Sequence, residues 1–376
     1  MRILQISSAR ALGGGERHLS DLVKELSARG HDVHVALSPG SPLINELRTI
    51  PKQNIVTLPL RNALDAASAL ELARLISKRQ IEVVHAHMAR DYPLAAYAVR
   101  RNRSSRLIIT RHVLFPLSRL HGVTLSNVSG VIAVSAAVAR RLREQQIFPD
   151  NKIVTVLNGI DVDRFARATL SLSKDAYRRK LELPPDGLLV GTVGEINPLK
   201  GQGDFVRAAA IVAGRFPGLH FIIAGEDTSS TKEHLRALQQ LIGELGLEKR
   251  VHHFGSLDDI ADLYCALDLF VSASHSESFG LAIAEAMACG VPIVATVTEG
   301  ASEIINDGVT GLLVPIGDAS SLAKAMIRLL ERADERADLA QAAKVAVRER
   351  FSLERMVGET EQVYSEALAG VTESDR

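Results

Sequence analysis

No tryptophan occurs among the 376 residues, and aromatic side chains make up only 4%. Proteins that read looped or single-stranded nucleic acid stack bases on aromatic platforms. That scarcity, with no zinc-finger or RNP-like pattern beside it, removes nucleic acid from the expected partners. Cysteine is equally sparse: Cys265 and Cys289 are the two present. Two cannot staple a disulfide scaffold. Both fall in helical or apolar stretches and are expected as buried thiols of a reducing compartment. Long hydrophobic runs are missing too. The longest stretch free of Asp, Glu, Lys and Arg, 120–139, carries three Ser, an Asn, a Thr and a His. No membrane span is expected there. Met1-Arg2-Ile3-Leu4-Gln5-Ile6 runs directly into a strand pattern, so no targeting segment is expected at the start and a cytoplasmic location is.

Charge of one sign is absent overall, with 44 Lys+Arg against 44 Asp+Glu. The balance is uneven along the chain. Residues 1–180 hold 28 basic and 14 acidic side chains, a net of +14, which leaves −14 for 181–376. Such a split suggests two domains with different partners. A basic half suits an anionic partner such as a membrane surface or a phosphorylated acceptor. What is abundant is ordinary: 46% hydrophobic and 23% charged residues, a globular composition long enough for two cores.

Short apolar runs alternate with amphipathic stretches. Strands are predicted at 2–7, 32–37, 55–58, 83–87, 106–110, 131–135 and 153–157, with helices such as 16–28, 63–79, 92–101 and 136–145 between them. Continuous apolar strands separated by helices imply a parallel sheet covered on both faces. The pattern breaks across 158–187, a charged stretch closed by Pro184-Pro185-Asp186-Gly187, a turn signal. It then restarts, with strands at 188–193, 219–224, 250–254, 269–272, 292–295 and 311–314. The expectation is an α/β chain of two Rossmann-like, doubly wound domains facing each other across a cleft, with ligands at the carboxyl ends of the strands. The expected boundaries are 1–165 for the first domain, 166–187 for a linker and 188–352 for the second. A terminal helix over 353–376 is expected to pack back on the first domain.

The first strand leads into Gly13-Gly14-Gly15-Glu16-Arg17-His18. Glycines let a backbone approach a ligand, and a helix start offers N–H groups to an anion. A dinucleotide fingerprint fails, because His18 holds the place of the third glycine and no acidic residue ends the second strand. A bare tight turn fits the motif equally well. His85 and His87 share one face of a strand, and His112 follows another. A metal site would need a third ligand that the sequence does not name. Lys200, in Gly194-Glu195-Ile196-Asn197-Pro198-Leu199-Lys200-Gly201, sits at a helix start where a phosphate is readily held. Asp227 reads as part of a solvated turn. The strongest signal is His275-Ser276-Glu277-Ser278-Phe279-Gly280-Leu281, with Glu285 eight residues after Glu277. Glu277 precedes a helix start that favours anions. Glu285 lies in an apolar helix, where a carboxylate is costly without a partner such as ligand hydroxyls.

These residues resemble the E-x7-E signature of the retaining GT-B glycosyltransferases of family 4, the glycosyl transferases group 1. The resemblance extends to Thr110–His112, to Asn158-Gly159-Ile160-Asp161 and to Asp307-Gly308-Val309-Thr310-Gly311. It implies transfer of a sugar from a nucleotide diphosphate donor to a hydroxyl acceptor, with the donor in the second domain and the acceptor in the first. Glu285 would bind ribose hydroxyls. Glu277 and the backbone of Ser278, Phe279, Gly280 and Leu281 would hold the sugar and the diphosphate. Lys200 would neutralise the leaving diphosphate, Gly14 and Gly15 would close on it, and His112 would sit near the transferring sugar. His87 and Arg111 would lie on the acceptor side. The arginine usual before Lys200 is replaced by Glu195, which removes a cation from the diphosphate. Arg111 or Arg17 could take its place. Asp161-x-Asp163 lies in the interdomain signature and is not read as a metal-binding pair, so neither metal nor cofactor is expected. The acceptor would be a glycan, lipid-linked or phosphorylated molecule, in lipopolysaccharide, polysaccharide or glycolipid assembly, with a possible peripheral membrane location. A 2-epimerase or hydrolase on the same fold, and a non-catalytic nucleotide-sugar-binding subunit, are the alternatives.

Overall fold

The computed structural model describes residues 1–257 and 259–370. The chain forms two compact units, Met1–Gly159 together with the chain from Leu353, and Ile160–Ser352. The last six residues of the expected terminal helix lie outside the described residues.

The first unit holds seven strands: β1 Arg2–Ser7, β2 Asp32–Leu37, β3 Ile55–Thr57, β4 Val83–Ala86, β5 Arg106–Arg111, β6 Val128–Ala133 and β7 Ile153–Thr155. They pair in the order β3-β2-β1-β4-β5-β6-β7, and every pairing is parallel. Strand order reverses between β1 and β4. β6 begins earlier than predicted, because Ser129 and Gly130 interrupt its apolar run. A Cβ at Gly130 would stand 3.3 Å from Val363 and 3.1 Å from Ile108, so the missing side chain makes room for the terminal helix. That helix, Leu353–Ala369, is held by Glu361, which binds Arg29 Nη1 at 2.7 Å and His31 Nε2 at 2.6 Å.

The second unit holds β8 Leu189–Val193, β9 His220–Ala224, β10 Val251–Phe254, β11 Leu269–Ser272, β12 Ile293–Thr296 and β13 Leu312–Val314. Their order is β10-β9-β8-β11-β12-β13, again parallel, with the reversal between β8 and β11.

The stretch expected as the end of the first domain and a linker belongs to the second unit instead. Residues 162–171 and 174–180 are helices. Asp161 caps the first by accepting from Arg164 N–H at 2.8 Å. Phe165 is buried edge-on to Tyr264, 6.2 Å between centroids. The misleading feature was charge: Arg178 is buried and donates to Asp268 Oδ2 at 2.6 Å and to the carbonyls of Ala266 and Gly187. A satisfied buried guanidinium anchors what reads as a solvated stretch.

Assigning the terminal helix to the first unit changes the electrostatics as well. That unit then carries 24 basic and 17 acidic residues, a net of +7 rather than +14. Among the described residues no helix is long and apolar enough to cross a membrane. Cys265 and Cys289 are free thiols, partly buried and buried.

Candidate functional site

In the second unit, β8 and β11 are neighbours, so the loops leaving their carboxyl ends share one edge of the sheet. The β8 loop runs through Gly194 and Glu195 into a single 3-10 turn, Pro198–Lys200. Gly201 then has φ +64, and a Cβ there would fall 1.9 Å from the Ala273 carbonyl oxygen. Only glycine lets the two loops come this close. Lys200 Nζ consequently meets Glu277 Oε2 at 2.6 Å, and Ser274 Oγ donates to the same oxygen at 3.3 Å. Both charged groups remain partly exposed, which leaves them reachable by a ligand.

The chain continues through Gly280, with φ +112, into the helix Leu281–Ala288. Ser278 is partly buried. Phe279 is buried with its ring 5.5 Å from that of Phe351. Its side chain is spent on the core, so this segment offers backbone groups. Glu285 is 6% exposed in this apolar helix, and Tyr264 Oη donates to its Oε2 at 2.8 Å. The partner that its cost demands is thus supplied by the protein itself. Glu195 is exposed and accepts from the Thr228 hydroxyl. Asp227 is not part of a solvated turn. It is buried, and although burial pushes its carboxyl up, N–H donors from Ser229 and Leu235 at 2.9 and 3.0 Å hold it well below the usual range. Asp163 pairs with Arg348 at 2.8 Å.

Sequence reasoning missed Gly300, in the helix Glu299–Ile304 after β12. Its N–H donates to the Glu277 carbonyl at 2.9 Å. A Cβ there would lie 2.5 Å from Phe279 O and 2.8 Å from Glu277 O. Gly300 therefore fixes the backbone of the Glu277–Phe279 loop. A glycine at the start of a helix gives no such warning in sequence.

In the first unit, β1, β4 and β5 are adjacent, and their carboxyl ends gather four imidazoles. Gly14 opens the helix Gly14–Ala28, and Glu16 Oε2 accepts from the Gly13 N–H at 2.9 Å. Gly15 packs on His112, whose Cγ would lie 3.4 Å from a Cβ at 15. His18 is buried against the His112 ring, edge-on at 4.8 Å. His87 Nδ1 meets His112 Nε2 at 3.2 Å, and His87 Nε2 meets Gln5 Oε1 at 2.8 Å. His85 Nδ1 meets Tyr364 Oη at 2.6 Å, and its Nε2 meets Thr110 Oγ1 at 2.6 Å. Burial pushes the pKa of His85, His87 and His112 well below the usual range, and the neighbouring imidazoles add to the effect. Burial alone takes His18 down to about 4 against an opposing contribution from Asn158. All four are neutral at pH 7.

His87 and Arg111, expected on the acceptor side, are used inside the unit. Both ring nitrogens of His87 are taken, and Arg111 is 6% exposed and donates to the Phe115 carbonyl. His18 supplies the third imidazole that the sequence left unnamed. One nitrogen each of His18, His87 and His112 lies within 4.8 Å of the others. The fit to a metal is poor. The His87 and His112 rings are 24° from coplanar with centroids 5.5 Å apart, about the N···N gap plus the two ring radii. The two nitrogens point at each other and share a proton, whereas metal ligands converge on a third point.

Residues 12–164 match the family described as "Glycosyltransferase Family 4", and residues 173–346 match "Glycosyl transferases group 1". The chain is 26% identical to the N-acetyl-alpha-D-glucosaminyl L-malate synthase of Bacillus anthracis, over 95% of both chains. It is 35% identical to the D-inositol 3-phosphate glycosyltransferase of Saccharomonospora viridis over 57% of this chain, a match that spans half of that relative. The Anabaena protein HepE, solved in complex with UDP and glucose, superposes with a TM-score of 0.84 at 25% identity, covering 97% of this chain and 99% of that one.

Proposed function

The chain belongs to the GT-B glycosyltransferases of family 4 and group 1, and from that premise we propose that it moves a sugar from a nucleotide diphosphate donor to a hydroxyl acceptor with retention at the anomeric carbon. The observation that carries this reading is the Lys200–Glu277 contact at the switch point of the second sheet. Ligands of doubly wound sheets bind at such points. In the free protein each charge balances the other. The donor diphosphate takes over Lys200, which stabilises the negative charge that grows as the sugar leaves. Glu277, released, accepts hydrogen bonds from the sugar hydroxyls. The backbone of Ser278, Phe279, Gly280 and Leu281 and the start of the following helix add N–H donors for the phosphates. Glu285 accepts the ribose hydroxyls beside Tyr264. His112 meets the transferring sugar, and Gly14 and Gly15 meet the diphosphate.

Cation and backbone N–H groups carry the role a divalent metal has in other sugar transferases, so turnover is metal-independent in this reading. The acceptor is a glycan, a lipid-linked molecule or a phosphorylated molecule, in lipopolysaccharide, polysaccharide or glycolipid assembly. Arg100, Arg103 and Arg106 line one cavity of about 690 Å³, which suits contact with an anionic membrane from the cytoplasmic side. HepE was solved with UDP, so UDP is the first nucleotide to try. A melting-temperature screen against nucleotide diphosphates and their sugars tests the donor site, because a ligand that binds only the folded chain raises the transition. No shift with any nucleotide diphosphate would remove the assignment.

A further inference from the structure

We propose that Gln5, acting through His87, fixes His112 as the Nε2–H tautomer and so presents its bare Nδ1 lone pair as an acceptor for a ligand hydroxyl. Gln5 and His87 are positioning residues in this account, and it rests on the reading that His112 meets the transferring sugar.

Proton positions are linked along one chain of contacts. Thr110 Oγ1, His85, Tyr364 Oη, Gln5, His87 and His112 are joined in that order. Each link needs one donor and one acceptor, and a neutral imidazole has one of each. The amide of Gln5 sets the direction. Its Nε2 donates to Tyr364 Oη at 3.1 Å, and its Oε1 faces His87 Nε2. His87 therefore carries its proton on Nε2 and accepts on Nδ1. His112 must then donate from Nε2, which leaves Nδ1 without a proton. On the other arm Tyr364 Oη donates to His85 Nδ1, and His85 Nε2–H donates to Thr110.

Rotating the Gln5 amide by half a turn would reverse every link and put a proton on His112 Nδ1. That atom is buried in the free protein, so a ligand must uncover it, and it meets no hydrogen-bond partner there. An orphaned buried N–H is costlier and rarer than an under-used acceptor. The native direction is therefore the one with Oε1 toward His87. Full burial keeps the imidazoles neutral, so no second proton blurs the assignment.

The consequence is chemical selectivity. A bare Nδ1 accepts from a hydroxyl and repels a phosphate oxygen. His112 thus favours a sugar hydroxyl over a phosphate. The terminal helix takes part through Tyr364, which caps the relay from the far end of the sequence.

The test uses the full chain labelled with ¹⁵N-histidine, observed by long-range ¹H–¹⁵N correlation at neutral pH. His112→Gln assigns the signal by subtraction. A neutral His112 protonated at Nε2 supports the proposal. Protonation at Nδ1, or at both nitrogens, overturns it on the wild-type protein, whatever the variants do. Gln5→Leu removes the acceptor for His87, and the His112 signal should become a mixture of tautomers while donor turnover falls about tenfold. Gln5→Glu keeps an acceptor toward His87, so the Nε2–H tautomer returns and turnover falls less. A pure Nε2–H tautomer in folded Gln5→Leu would overturn the role of Gln5. If the tautomer is as stated but His112→Gln retains full turnover, the relay stands and the sugar contact of His112 does not.

Discussion

Lys200 Nζ lies 2.6 Å from Glu277 Oε2, although 77 residues separate the two in sequence. Neighbouring parallel strands bring them together, and the absence of side chains at Gly201 and Gly300 lets the loops close. A partly exposed ion pair at a strand-order reversal contributes little to stability. Its worth lies in what a competing anion can do with it.

Lys200→Ala should cut donor turnover by about 10²- to 10³-fold, the usual loss when one charge-stabilising donor leaves a reaction centre. Glu277→Gln and Glu285→Gln should also lose most activity. All three should melt close to wild type, since the positions are loop or partner-supported. Steady-state kinetics beside a thermal melt check this. Near-normal turnover in folded Lys200→Ala would remove the pair from the chemistry.

Two glycine variants should behave oppositely. Gly300→Ala places a Cβ 2.5 Å from Phe279 O, so the Glu277 loop must move and donor binding should weaken at least about tenfold, as small displacements of positioning groups do. Gly214→Ala, outside the site, meets nothing within 4 Å of its new Cβ and should bind donor nearly as wild type. Calorimetric titration with UDP compares them.

Acid should destabilise the first unit between about pH 6.5 and pH 4. His18 titrates near 6.5 when unfolded and at about 4 when folded. The unfolded chain binds the proton first, so stability is present above the higher value and lost as pH falls toward the lower one. His85, His87 and His112 act in the same direction. Asp91 opposes them: burial raises it to about 6 against hydrogen bonds from Ser8, so its contribution fades as pH rises through that value. Burial raises the Glu16 carboxyl as well, and four histidines against these two carboxyls make the net effect a falling melting temperature. His18→Leu should flatten the slope in a melting series across this window.

Turnover should survive EDTA, because the head-on His87–His112 contact suits a shared proton better than an ion. A strict requirement for added Mg²⁺ or Mn²⁺ in the assay would contradict the proposed mechanism.

Association with anionic vesicles should be weak and lost in salt, since screening acts over about 8–10 Å near physiological ionic strength. The net charge of the unit is +7, and Glu366 shares the cavity with Arg100, Arg103 and Arg106. Sedimentation with phosphatidylglycerol vesicles at low salt should be reduced in the Arg100/Arg103/Arg106→Ala variant. No binding at low salt would leave a soluble anionic acceptor as the partner of these arginines.

The sequence by itself determined the strands, their parallel pairing and the two sheets, because continuous apolar runs between amphipathic helices are local signals with a fixed period. It also marked Glu277, Glu285 and Lys200, whose charges stand out against glycine and apolar neighbours. Only the tertiary structure decided that Arg178 anchors the supposed linker, that Asp227 is buried and that Tyr264 serves Glu285. It alone brought Gln5, His18 and Tyr364 to His87 and His112. Those residues are unremarkable where they stand in the chain. Burial, hydrogen-bond partner and proton position come from groups up to 359 residues away, and no local pattern encodes a neighbour at that distance.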